Sequence, residues 1–203
     1  MPDLPDLLIL RHGETEWNRE GRMQGVLDSA LTAEGEAQAR AQGEILARHG
    51  VEGFDWLSSP QGRALRTAEI ARAAPVATDP RLREIGMGGW TGLLRDEIAV
   101  RHPEFFGPEA APLAYYGHAP EGETLDALAG RLRALLAALE RPTVLVTHGV
   151  TSRMLRCLAL DLPIGAFAHL EGGQGVVYRI AGGTYERLER EGVVAQSLPQ
   201  DGV

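Results

Sequence analysis

The chain contains no lysine; all twenty of its basic residues are arginine. That absence removes Schiff-base and lysine-nucleophile chemistry. Cysteine is nearly missing too. Cys157 stands alone, so no internal disulfide can form, which fits a reducing cytoplasm as the working compartment. Set in the apolar run MLRCLAL, it reads as core filler rather than as a nucleophile. No apolar run approaches the roughly 18 residues of a membrane span. The opening MPDLPDLLIL lacks the cationic leader of a secretory signal. A basic surface is also lacking: the net charge of −8 argues against nucleic acid as a partner. An anionic ligand must therefore be held by a local cluster of arginines. His49, His102, His118 and His169 show no metal-like spacing, so no metal or other cofactor is implied. The HGE at residues 12–14 lacks the CxxC that a zinc deaminase would need.

What is present is ordinary in bulk and ordered in detail. With 203 residues, 44% hydrophobic and 24% charged, residues 1–203 suit a single folded domain. Strand-like runs at 7–10, 54–59, 75–78 and 143–148 alternate with helix-like runs at 31–50, 59–74, 122–140 and 150–160. In the second helix, Ser59 is placed as the cap and Pro60 at the first helical position. Two further runs, 175–180 and 184–190, joined at Gly182–Gly183, predict a closing hairpin. This alternation predicts an α/β fold: a three-layer sandwich with a mostly parallel mixed sheet, helices on both faces and an antiparallel edge. Residues 93–120 break the pattern, with four prolines and half of the Phe and Tyr residues. They are expected to form a partly helical insertion that covers a site.

Two strand ends carry the chemistry. Arg11-His12-Gly13 follows the first strand and Thr147-His148-Gly149 follows the strand TVLV. Ligands in open α/β sheets bind beyond the carboxyl ends of the strands, so the two histidines can share a crevice. Arg63 falls in the first turn of the helix near Pro60, and another helix opens at Gly149. Helix N-termini favour anions. Two arginines, two histidines and helix amides suit a phosphoryl group.

The segments LRHGETEWN, LSSPQGRALRTA, LREIGMGGWTG and VLVTHG, together and in this order, resemble the histidine phosphatase superfamily, also called phosphoglycerate mutase-like. The resemblance implies that His12 is the nucleophile, that Arg11, Arg63 and His148 complete the phosphate pocket, and that Glu84 is the acid/base. It implies substrate-binding roles for Asn18, Gln24 and Gly149. The expected partner is a small phosphorylated substrate, and the expected activity is metal-independent phosphomonoester hydrolysis through a phosphohistidine, in the cytoplasm. A phosphoglycerate mutase-type phosphomutase is the alternative, and an inactive phospholigand-binding protein a further one. Against the mutase stand IGMGGW, where mutases carry a Tyr-containing run, and an insertion offering only Arg95, Arg101, His102 and His118 to a second anion. Gly62 departs from the family's larger residue. Trp90 is assigned to packing the Glu84 loop and GGQG (172–175) to a simple turn. Glu123 and Thr124 either share in the family's site or merely cap a helix.

Overall fold

The computed structural model describes residues 4–196; the extreme ends of the chain, including the first three residues of MPDLPDLLIL, lie outside the described residues. Strands β1 (Leu7–Arg11), β2 (Asp55–Ser58), β3 (Ala77–Thr78), β4 (Thr143–Thr147), β5 (Val177–Ala181), β6 (Thr184–Glu189) and β7 (Gly192–Ala195) form one sheet in the order β3-β2-β4-β1-β5-β6-β7. The pairings from β3 to β1 are parallel and those from β1 to β7 antiparallel. The hairpin turns at Gly182–Gly183 as the sequence suggests; β7, wholly exposed, was not foreseen. The central strands β1 and β4 are apolar on both sides of the pleat, as strands covered on both faces must be.

One face carries Leu8 and Leu10 of β1, packed against Ile45 and Leu46 of α2 (Ala33–Arg48) and Ala68 of α3 (Gly62–Arg72). The opposite face carries Leu7 and Ile9, packed against Leu128, Leu132, Leu135 and Leu136 of α5 (Leu125–Leu136) and Met154 and Leu155 of α6 (Gly149–Ala159). The period of two along β1 thus feeds two separate cores, which is the three-layer sandwich. Cys157 lies wholly within the second core, its thiol pushed up to about 11 by burial.

Two short helices were not anticipated as such: α1 (Glu16–Glu20) and α4 (Arg95–Arg101). Thr15 and Asn18 form a capping box that starts α1. Helix α4 and a turn of 3₁₀ helix at Pro103–Phe105 are the helical part of segment 93–120. Thr32 caps α2 and Thr124 caps α5, the second of the two roles left open for it by the sequence.

The start of α3 does not. Ser59 extends the edge of the sheet instead, its amide donating to the Val146 carbonyl at 2.9 Å, and the helix begins three residues later at Gly62. Asp28, from the loop before α2, supplies the missing cap: its carboxylate accepts from the amides of Gly62 (2.7 Å) and Arg63 (3.3 Å).

Candidate active site

Strands β1 and β4 are parallel neighbours with Arg11 in register with Thr147, so His12 and His148 leave the sheet side by side. The two rings sit edge to face, centroids 5.2 Å apart, and both are buried. The His12 Nδ1 lies 2.7 Å from the Gly13 carbonyl oxygen. A carbonyl only accepts, so Nδ1 holds the proton and Nε2 the lone pair. The Arg63 Nε–H donates to that Nε2 at 3.3 Å. Both contacts demand the same neutral tautomer. Burial first, then the charges of Arg11 and Arg63, push the His12 imidazole well below its usual range.

Arg63 is fixed by more than His12. Its Nη1 donates to the Leu27 carbonyl (2.6 Å) and to Asp28 (2.7 Å), and its Nη2 to the Gly25 carbonyl (3.1 Å). Asp28 therefore caps α3 and pairs with its first arginine at once. Thr67, one turn along the same helix, accepts from the Gly13 amide at 3.1 Å and ties α3 to the turn after β1.

His148 caps α6 in sequence position but contributes no side-chain cap. Its Nε2 lies 2.8 Å from the Ser59 hydroxyl, which explains why Ser59 serves the site rather than α3. Burial, followed by Arg63 and His12, holds His148 well below its usual range. Its Nδ1 and the Arg11 Nε are both buried without a partner among the described residues. Buried polar groups are nearly always paired, so both fit hydrogen bonding to an anion.

Glu84 sits across the start of α6. Its Oε1 accepts from the Thr151 amide (3.0 Å), the Thr151 hydroxyl (2.9 Å) and the Ile85 amide (3.1 Å), and its Oε2 from the Val150 amide (3.2 Å). The helix N-terminus orients this carboxylate. A methyl group on Gly149 would come 3.4 Å from Arg11 Nε and 3.7 Å from Glu84 Oε2, ordinary contact distances, so Arg11 and Glu84 flank the first residue of α6 on the pocket side.

These side chains open into a pocket of about 290 Å³. Arg11, His12, Arg63, Glu84 and Gly149 line it, as do Asn18 and Gln24; His148 is not in the lining, and its fully buried ring packs against that of His12. The Asn18 Oδ1 is taken by the Thr15 amide and by Gln174 Nε2, which assigns its NH₂ as the group free to meet a ligand. Gln24 bonds Thr15 and Ser29 and shapes the loop as well as the wall.

Gln174, Arg22 and Arg153 carry no local sequence signal for the places they take at the site. Gln174, from the GGQG turn, donates to the His12 carbonyl at 3.2 Å as well as to Asn18. Arg22 and Arg153 line the pocket alongside Arg95; the insertion is thus not the sole source of extra positive charge. Arg101, His102 and His118 do not line it. The insertion does contribute Leu113, Tyr115 and Tyr116 to the wall. Trp90 is buried against His102 and Phe105. Glu123 and Thr124 divide their roles: Thr124 caps α5, and Glu123 accepts from the Gly86 amide at 3.3 Å.

Comparison with known proteins identifies the family and the fold. The family profile described as histidine phosphatase superfamily (branch 1) matches residues 7–190. A probable phosphoglycerate mutase of Serratia proteamaculans is 37% identical over 163 residues, 76% of this chain and 74% of that protein. A 2,3-bisphosphoglycerate-dependent phosphoglycerate mutase of Caulobacter vibrioides is 47% identical over 105 residues. That match takes in 49% of this chain and spans less than half, 44%, of that relative's length. Among solved structures, a mycobacterial glucosyl-3-phosphoglycerate phosphatase in complex with VO3 superposes with a TM-score of 0.73 at 33% identity, covering 91% of this chain and 97% of that one.

Proposed function

Because the chain belongs to the histidine phosphatase superfamily, we propose that it hydrolyses a small phosphomonoester through a phosphoryl group carried on His12. The observation that supports this most is the doubly fixed tautomer: Nδ1 is committed to the Gly13 carbonyl and Nε2 keeps its lone pair. A nucleophilic imidazole has to be in that state.

Nε2 attacks phosphorus while the ester oxygen departs, taking a proton from Glu84. Water then attacks the phosphohistidine, Glu84 recovers a proton from it, and inorganic phosphate leaves with His12 restored. One carboxyl group serves both steps in turn, a contribution of ~10²–10⁴ in rate. Arg11 offers its unpartnered Nε to the transferring oxygens. Arg63, whose other nitrogens are already bonded, acts mainly as a fixed charge. With the Ser59 hydroxyl donating to Nε2, His148 presents Nδ1–H as a further donor. Asn18 and the Gly149 amide complete the phosphate contacts. The arginines supply the positive charge, so hydrolysis should survive exhaustive chelation. The cytoplasm is the proposed compartment, since the single cysteine is buried and reduced.

One observation favours a second reading, a phosphomutase. Arg22, Arg95 and Arg153 face the pocket, and a mutase needs positive charge beyond the phosphoryl site to hold a doubly anionic intermediate. Much of that charge is already engaged: Arg22 bonds Glu20 and the Gly92 carbonyl, and Arg153 bonds the Leu170 and Gly149 carbonyls. Hydrolysis therefore stays the first reading. Phosphate release from a monoester and interconversion of 3- and 2-phosphoglycerate are measured on one preparation, with and without 2,3-bisphosphoglycerate. Release should lead by at least about tenfold, or ~1.4 kcal/mol in barrier. Interconversion that outruns release on adding the bisphosphate makes the chain a mutase.

A further inference from the structure

Glu84 is held on two sides. Its side chain is seated on α6, and its backbone is held by a group with no place in the chemistry. Arg131, midway along α5, makes a two-pronged ion pair with Glu123, Nε to Oε1 at 2.7 Å and Nη2 to Oε2 at 2.9 Å. Two parallel hydrogen bonds of this kind fix direction as well as distance. The pair then reaches the segment that carries Glu84. Arg131 Nη2 donates to the Glu84 carbonyl at 3.4 Å and Nη1 to the Arg81 carbonyl. Glu123 accepts from the Gly86 amide at 3.3 Å, and its own amide donates to the Gly86 carbonyl at 2.9 Å. Arg131 and Glu123 thereby grip the segment on both sides of Glu84.

The backbones behind this grip are packed too closely to slide. Gly88 has φ +40°, and a methyl group there would lie 2.0 Å from the Pro120 carbonyl oxygen. Gly89 donates to that same carbonyl at 2.8 Å. Neither ionic partner lines the pocket, so neither can meet substrate. Both side chains are about one-fifth exposed. Surface pairs of that kind add little stability, though an arginine fork in a network is the favourable case.

We infer that Glu123 and Arg131 are positioning residues that hold Glu84 at the distance proton transfer requires. The inference rests on the acid/base role proposed for Glu84. Proton transfer is steep in distance, and a shift near 1 Å is enough to cost about 10²-fold. Loss of the grip should therefore appear where the leaving group needs a proton and largely vanish where it does not. A residue that merely held the fold together would slow all substrates alike.

The test measures kcat and KM for an alkyl phosphate and for p-nitrophenyl phosphate, using wild type, Glu123→Gln, Arg131→Gln and Glu84→Gln, and the Glu84→Gln/Glu123→Gln double variant. Each positioning variant should lose at least about tenfold in kcat on the alkyl ester and no more than about threefold on the aryl ester, with KM little changed. On the Glu84→Gln background Glu123→Gln should add less than twofold. Glu123→Asp, which keeps the charge, should recover part of the loss. Equal losses on both esters, or a further tenfold loss on the Glu84→Gln background, overturns the inference while leaving Glu84 as the acid. If Glu84→Gln itself slows both esters equally, the acid/base role fails first and the inference falls with it. Should one positioning variant fail to fold, the other carries the same comparison.

Discussion

Asp28 joins two jobs that the sequence assigns elsewhere, and removing it separates them. In Asp28→Ala the Gly62 and Arg63 amides lose their acceptor, a cap worth about 1 kcal/mol. Arg63 Nη1 also loses a charged partner at 2.7 Å, where the arginine side chain is 1% exposed and the aspartate 38%. A hydrogen bond between charged groups is worth about 1.5–3 kcal/mol, and solvent access at Asp28 argues for the lower end. The Leu27 and Gly25 carbonyls remain as neutral acceptors, so Arg63 is not left bare. Asp28→Ala should thus destabilise the chain by about 2–3 kcal/mol. Asp28→Asn keeps an acceptor for the Gly62 amide and loses only the charge, so it should cost about 1 kcal/mol. Urea unfolding at pH 7.5 reads both values from the midpoints, provided the slopes are unchanged. The activity should follow the same order, Ala below Asn below wild type, because Arg63 touches His12. An Asp28→Ala variant within about 0.5 kcal/mol of wild type, or equal to Asp28→Asn, would refute the double role.

Buried His12 and His148 stay neutral in the fold below the pH at which a free imidazole with its value of 6.5 takes a proton. The unfolded chain then binds more protons than the native one, so stability is complete above about pH 6.5 and falls below it, by up to ~1.4 kcal/mol per pH unit for each histidine. Urea midpoints from pH 7.5 to 5 should show that slope, and His148→Gln should remove about half of it. A methyl group at Gly35 would lie 2.0 Å from the Glu14 carbonyl oxygen, so Gly35→Ala should push α2 off the turn after β1. It should cost about 1–3 kcal/mol in the same assay. Gln174→Ala removes donors to the His12 carbonyl and Asn18 and should raise KM for phosphate esters several-fold with little change in melting temperature.

Much of this site could be read from the sequence because its residues stand at element ends, where local pattern and function coincide. Arg11, His12, His148 and Gly149 follow short apolar runs that can only be central strands, and the strands' parallel pairing does the rest. Glu84 could be named only by resemblance, since nothing local separates it from any surface glutamate. The misses are long-range. Ser59 looks like a helix cap, yet tertiary pairing with Val146 and His148 overrides the local signal. The real cap, Asp28, lies thirty-four residues from Gly62, beyond any pattern of neighbours. Arg22 and Arg153 were lost among twenty arginines because orientation, not residue type, puts them in the pocket. Strand β7 has four exposed residues and so lacks the alternation that reveals a half-buried strand.

The central claim is that His12 carries the phosphoryl group, and it is tested most directly by trapping that state. Enzyme and a phosphorus-labelled monoester are mixed for milliseconds, quenched in alkali, digested, and the label mapped to a peptide. Wild type should carry alkali-stable, acid-labile label on the peptide containing residue 12, forming before free phosphate appears; His12→Ala, still folded by circular dichroism, should carry none. Label retained by His12→Ala, or phosphate released from wild type with no label ever preceding it, would contradict the account.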